Sequence, residues 1–203
     1  MKIICIGRNY PDHALEMQAA TPSCPVFFIK PDTCLLRNNN PFFYPDFTHD
    51  LHYELEVVLR INRLGKSINR RFAHRYYDAV TLGVDFTARD LQQVCKQQGL
   101  PWEIAKAFDY SAPIGDFIDK GDFDDLSNIN FHLEKNGETV QQGNTRDMMF
   151  SYDELIEHVS RYVTFRTGDL IFTGTPAGVG PVTAGDRLKA FLGDRLMLDF
   201  FVR

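Results

Sequence analysis

The stretch His52-Tyr-Glu-Leu-Glu-Val-Val-Leu59 alternates apolar and acidic side chains. In an extended strand successive side chains point to opposite faces, so Leu55, Val57 and Leu59 share one face and Glu54 and Glu56 the other. The apolar row suits a core. The acidic row brings two carboxylates together with no basic residue between them. Like charges that close are unfavourable unless a proton or a cation lies between them. A hard divalent ion such as Mg²⁺ or Mn²⁺, which prefers oxygen ligands, meets that need. The alternative is a strand edge that holds both carboxylates in water.

The chain around this stretch is that of an ordinary globular protein. Its 203 residues suffice for one domain, 1–203, with a sizeable core. A formal net charge of -5 and no basic stripe argue against a nucleic-acid surface. Cys5, Cys24, Cys34 and Cys95 have no C-x-x-C spacing, which favours free thiols in a reducing, cytoplasmic setting. No apolar run approaches the ~20 residues of a membrane span, and Met1-Lys-Ile-Ile-Cys-Ile-Gly7 reads as a first strand.

After that strand, Pro11 suits the opening of a short helix on which His13 and Glu16, three apart, share a face. A carboxylate beside an imidazole fixes its tautomer and raises its basicity, as a general base requires. A solvated helix contact is the simpler account of such a pair. Val26–Lys30 reads as a buried strand, Asn69–Ala79 as a helix and Val80–Phe86 as a strand delivering Asp85. Thr87 is placed to cap the next helix, which Gly99 ends. Lys106 sits among Ile104, Ala105, Ala107 and Phe108, so partial burial beside a counter-charge is expected. Asn136-Gly137 marks a hairpin, Ser151-Tyr-Asp-Glu154 a capping box, and Gly193-Asp194 a final hairpin. The glycine-rich run Thr173–Gly180 lacks the lysine of a phosphate loop and no helix pattern follows it, which excludes nucleotide binding there. Many short strands and few helices give a β-rich α+β fold with one mixed, rolled sheet system.

Seven motifs then occur in series: Gly7-Arg-Asn-Tyr-x-Asp-His-x-x-Glu16, Phe28-Ile-Lys-Pro31, Glu54-x-Glu56, Asp85-x-Thr-Ala-Arg-Asp90 with Gln92, Gly99-Leu-Pro-Trp102, Lys106-x-Phe-Asp109 and Thr173-Gly-Thr-Pro-x-Gly-Val-Gly180. Together they resemble the fumarylacetoacetate hydrolase family, and within it the small acylpyruvate hydrolases that also decarboxylate oxaloacetate. The resemblance implies a mixed β-sandwich roll, usually a homodimer. It implies a metal triad of Glu54, Glu56 and Asp85 holding Mg²⁺ or Mn²⁺, with His13, Glu16 and Lys106 catalytic. Arg8, Lys30, Gln92 and Thr175 become the expected contacts to a small 2-oxo acid. Val84 departs from the family, which usually has Asn before the metal aspartate, and so removes a hydrogen-bonding group there.

The implied chemistry is C–C cleavage of a 2-oxo acid through the enolate of pyruvate, as acylpyruvate or fumarylpyruvate hydrolysis or as oxaloacetate decarboxylation. An isomerase of unsaturated dicarboxylic 2-oxo acids would use the same enolate. A non-catalytic metal- or ligand-binding module is the rival from another class, and it has no use for His13, Glu16 or Lys106.

Overall fold

The computed structural model describes residues 1–17 and 20–203. Its main sheet has six strands in the order Val26–Pro31, Lys2–Gly7, Leu170–Phe172, Leu55–Ile61, Tyr77–Val84, Ile118–Asp119. Lys2–Gly7 runs parallel to Leu170–Phe172, and every other pairing in this sheet is antiparallel. A second, antiparallel sheet joins the Asn136-Gly137 hairpin to the C-terminal one, in the order Glu138–Asn144, Asn130–Lys135, Arg187–Leu192, Arg195–Phe201. The expected strand-rich α+β fold is the one found. No described helix is long and apolar enough to cross a membrane.

The pleat of the main sheet sorts its side chains into two cores. Leu55, Val57, Leu59, Ile4 and Ile171 enter the larger one. Val58, Ile3, Cys5, Leu170 and Phe172 enter a smaller one on the other face. Burying each of these aliphatic side chains stabilises the fold by roughly 1.5–3 kcal/mol. Glu56 shares its face with Val58, so the acidic row of the opening stretch is covered rather than solvated. The water-facing edge is thereby excluded: Glu54 is 6% and Glu56 1% exposed.

Four local readings need correction, the first being Val26–Lys30, which is an edge strand with Val26 exposed, Phe27 to Ile29 half-buried and only Lys30 buried. The stretch 52–59 is not one strand, because Leu51–Tyr53 pairs with Gly180–Pro181 and Thr87–Ala88 in a separate small sheet. Glu54 lies at the break between that strand and Leu55–Ile61. The helix expected over 69–79 is a single turn, Arg70–Ala73, with the Asn69 side chain accepting from Arg71 N at 3.2 Å. The chain then extends because Tyr77 pairs with Ile61, and tertiary pairing outweighs the local pattern. Thr87 does not cap the helix Arg89–Gln98: it pairs with His52, and its hydroxyl donates to Asp85 O at 3.2 Å. Gly99 does end that helix, in the left-handed region at φ 66°. The Ser151/Glu154 capping box and both hairpins are in place.

Candidate active site

Adjacent strands assemble the carboxylates. Leu55 is in register with Val84, and Asp85 N donates to Glu54 O at 2.8 Å, which sets Asp85 beside Glu54 just past the strand end. Glu54, Glu56 and Asp85 each bring an oxygen within 4.8 Å of the others, and all three are buried. Lys106 Nζ donates to Glu54 Oε2 at 2.7 Å and to Asp85 Oδ2 at 2.8 Å. Arg89 Nη2 donates to Glu54 Oε1 at 2.8 Å. Lys30 Nζ lies 2.5 Å from Asp85 Oδ1, a charge contact without the angular alignment of a hydrogen bond.

Glu56 is treated differently. It takes part in none of the ion pairs among the described residues, and its visible partner is Gly174 N, donating at 2.6 Å. Burial, then Asp85 and Glu54, push its pKa well above the ordinary value of 4.5. Burial also works to raise Glu54, but Lys106 and Arg89 outweigh it and hold that carboxyl well below the usual range. Burial alone would discharge Lys106, yet Asp85 and Glu54 keep its pKa above the ordinary lysine value. The centre therefore has one carboxyl, Glu56, that needs either a proton or a cation. Three oxygen donors converging there fit Mg²⁺ or Mn²⁺.

The helix Pro11–Glu16 brings His13 to the same cavity. His13 Nδ1 lies 3.1 Å from Glu16 Oε2, and Glu16 Oε1 accepts from Gly178 N at 3.0 Å. The glycine-rich loop thus touches both halves of the site, through Gly174 to Glu56 and through Gly178 to Glu16. Gly174 has φ 103°, and a Cβ there would fall 2.6 Å from Asn9 Cβ, so glycine is required. Asn9, fully buried, fastens the segment entering the helix. Its Nδ2 donates to Thr173 O at 2.8 Å, and its Oδ1 accepts from Phe150 N at 2.8 Å. Gln141 orients the loop further, its Nε2 donating to Thr175 Oγ1 at 2.9 Å.

A cavity of about 180 Å³ joins the two halves. The three carboxylates, His13 and Lys106 line it, and so do Arg8, Gln92 and Thr175. Lys30 does not. It is fully buried, anchored by Ser111 O and Ser111 Oγ at 3.0 Å each, with its charge on Asp85. The place expected for a substrate contact is thus behind Asp85, not on the cavity. Glu16 reaches the cavity only through His13. Sequence reasoning passed over Arg89, Lys96, Phe28 and Trp102, which also line the cavity. Phe28, Arg89 and Trp102 stood inside quoted motifs, and Lys96 shares the helix face of Arg89 and Gln92 at a spacing of seven and four. That spacing was the available signal.

Val84 packs fully buried in the larger core and does not line the cavity. A hydrogen-bonding group at this position would meet apolar neighbours rather than Asp85. Val84→Asn is expected to cost about 1–3 kcal/mol of stability for a buried, unpaired amide, with Mn²⁺ affinity unchanged. Thermal melts with calorimetry on one preparation check this, and tighter Mn²⁺ binding would contradict it.

The family model for the fumarylacetoacetate (FAA) hydrolase C-terminal domain matches residues 2–198. The Bos taurus protein named oxaloacetate tautomerase FAHD1, mitochondrial, is 42% identical over 200 residues, covering 98% of this chain and 90% of that one. The Dictyostelium discoideum oxaloacetate decarboxylase, mitochondrial, is 40% identical over 189 residues, covering 93% and 87%. Among solved structures, fumarylpyruvate hydrolase from Pseudomonas aeruginosa in complex with Mn²⁺ and pyruvate superposes with a TM-score of 0.93. It is 34% identical, with coverage of 100% of this chain and 90% of that one. With motifs, fold and full-length likeness in agreement, the chain belongs to the fumarylacetoacetate hydrolase family.

Proposed function

We propose that this protein is a divalent-metal-dependent enzyme that breaks the C3–C4 bond of 2-oxo acids and releases the enolate of pyruvate. Acylpyruvate or fumarylpyruvate hydrolysis and oxaloacetate decarboxylation are its two reactions. The observation that carries this reading is the buried carboxylate triad, held beside Lys106 on a cavity that His13 also lines. Glu54, Glu56 and Asp85 would hold a divalent ion, which would supply Lewis acidity when bound.

The chain's own residues do the rest. Lys106 stays charged and offers its field to the negative charge that gathers on the keto oxygen as the bond breaks. His13, with Nδ1 engaged by Glu16, leaves Nε2 free to take a proton from water. That water adds to the distal carbonyl of an acylpyruvate. The C3–C4 bond then breaks, its electron pair passes to the pyruvate enolate, and the acyl part leaves as a carboxylic acid. In oxaloacetate the pair moves the same way and the leaving fragment is CO₂. Arg8, Gln92 and Thr175 hold polar groups of the substrate, and Phe28 and Trp102 give the cavity an apolar wall.

A second reading, enol–keto isomerisation of a dicarboxylic 2-oxo acid, draws support from the tautomerase name of the bovine relative. It needs only proton transfer between C3 and the keto oxygen, within reach of a base such as His13. A panel of acylpyruvates, fumarylpyruvate and oxaloacetate, assayed with Mg²⁺ and with Mn²⁺, separates the two. Metal-dependent formation of pyruvate is expected. Enol loss from oxaloacetate without pyruvate above the uncatalysed rate would favour the isomerase instead.

A further inference from the structure

The helix Arg89–Gln98 turns one face to the cavity. Arg89, Gln92 and Lys96, three and four residues apart, all line it. The two cations of this face are used differently. Arg89 is committed, donating to Glu54 Oε1 at 2.8 Å and to Gln92 Oε1 at 2.9 Å. Lys96 joins none of the ion pairs among the described residues, and its ammonium lies 5.5 Å from the centroid of the Trp102 ring. Arg8, also on the cavity and also without a carboxylate among the described residues, is held in the left-handed region at φ 64°. For a residue with a Cβ that backbone is strained, and such strain gathers where a side chain must be aimed.

Every carboxylate lining this cavity belongs to the triad, yet four cationic side chains line it too. Lys106 and Arg89 are matched by the triad, while Lys96 and Arg8 are left over. Burial, with Arg89 and Arg8, pushes the pKa of Lys96 below that of an ordinary lysine. An anionic group arriving with a ligand would relieve this repulsion. A purely solvated lysine accounts for the exposure of Lys96, but not for its seat against Trp102 on a cavity that Arg89 and Arg8 also line.

We propose that Lys96 binds the second carboxylate of a 2-oxo dicarboxylic acid and so selects such substrates over 2-oxo monocarboxylic acids. The proposal rests on the reading of the cavity as a 2-oxo acid site: the triad end takes the 2-oxo carboxylate, and the far carboxylate meets Lys96, one of the two uncommitted cations. Lys96 suits selection because it stands on a ten-residue helix rather than on a loop.

The test is calorimetry on the Mg²⁺-loaded wild type, Lys96→Met and Lys96→Arg with two probes. Pyruvate has no second carboxylate. 3,3-Difluorooxaloacetate has both carboxylates and no hydrogen on C3. Lys96→Met is expected to weaken difluorooxaloacetate binding by roughly 10–100-fold, the loss of one charge-assisted hydrogen bond, and pyruvate binding by less than about twofold. Lys96→Arg is expected to keep most of the affinity for both. Equal weakening on the two probes, or unchanged difluorooxaloacetate binding, would overturn the assignment. If the selective loss appears while the wild type turns over no 2-oxo acid, Lys96 keeps its role and the proposed reaction falls. If turnover is found without selective loss, the reverse holds. A wild type that binds neither probe overturns both.

Discussion

Glu56→Ala is expected to lower Mn²⁺ affinity by at least about 100-fold, beyond the ~10–100-fold typical of a lost supporting residue, and to abolish metal-dependent turnover. The reason is the asymmetry among the three carboxylates. Glu54 and Asp85 already face Lys106, Arg89 and Lys30, whereas Glu56 has a backbone N–H alone. The same asymmetry sets the stability of the ion-free protein. Because the folded pKa of Glu56 lies above its ordinary value of 4.5, the group contributes stability fully below about pH 4.5 and loses it as pH rises through the folded value. Glu54, with its pKa held down, works oppositely and is lost only as pH falls through its lowered folded value. At pH 7 the ion-free wild type therefore carries the penalty of Glu56, and Glu56→Gln removes it. The Gln variant is expected to melt at or above the wild type without metal, and to lose the rise in Tm that Mn²⁺ gives the wild type. An ion present at 100 times its Kd stabilises by roughly 2.7 kcal/mol, so the contrast is large. Below the folded pKa of Glu56 the ion must displace a proton, so wild-type Mn²⁺ affinity rises with pH. Calorimetry showing wild-type Mn²⁺ affinity in Glu56→Ala would remove the triad as the metal site.

How much of this was legible in the residues depends on how local each signal is. The alternation over 52–59 announced both the apolar row and the acidic pair, because a strand's period of two is written in consecutive positions. That the acidic face is buried was not legible. Val58, next along that face, packs with Ile3, Cys5, Leu170 and Phe172, on strands brought alongside only by the sheet order. His13 and Glu16 were paired by helical spacing and Asp85 placed near a strand end, but only the motifs joined them to Glu54 and Glu56, since no spacing rule links positions 13, 54 and 85. Lys30 was misplaced. The motif Phe28-Ile-Lys-Pro31 gave it a substrate contact by resemblance, and only the tertiary structure shows its ammonium enclosed by Ser111, Phe86 O and Asp85. The helix expected over 69–79 failed where Tyr77 found a strand partner in Ile61, sixteen residues back. Arg89 and Lys96 were assigned no role from the sequence, and the helix face that carries them turns out to be a wall of the cavity.

His13→Ala is expected to slow acylpyruvate hydrolysis by roughly 10²–10⁴-fold, the usual effect of a lost general base, and to slow oxaloacetate decarboxylation far less. The two reactions share the electron sink at the triad and Lys106 but differ in their need for water. Hydrolysis requires a base to draw a proton from the attacking water, and the His13–Glu16 pair at 3.1 Å is built for that. Decarboxylation expels CO₂ with no nucleophile. The competing account is mechanical, because the helix carrying His13 is also fastened to the glycine-rich loop through Glu16 Oε1 and Gly178 N. If His13 acted chiefly by holding this helix over the cavity, its loss would open the site to solvent and slow both reactions alike. Glu16→Gln separates the accounts further. The amide oxygen can still accept from Gly178 N, so the fastening can persist while the charge that supports the imidazole is gone. Under the water-activation account Glu16→Gln loses hydrolysis selectively, as His13→Ala does, and hydrolysis in both variants recovers when pH is raised and hydroxide replaces activated water. Measuring both reactions at saturating Mg²⁺ on the same preparations decides the matter. Equal losses in the two reactions, with no recovery at high pH, would assign His13 to closure and remove it as the base.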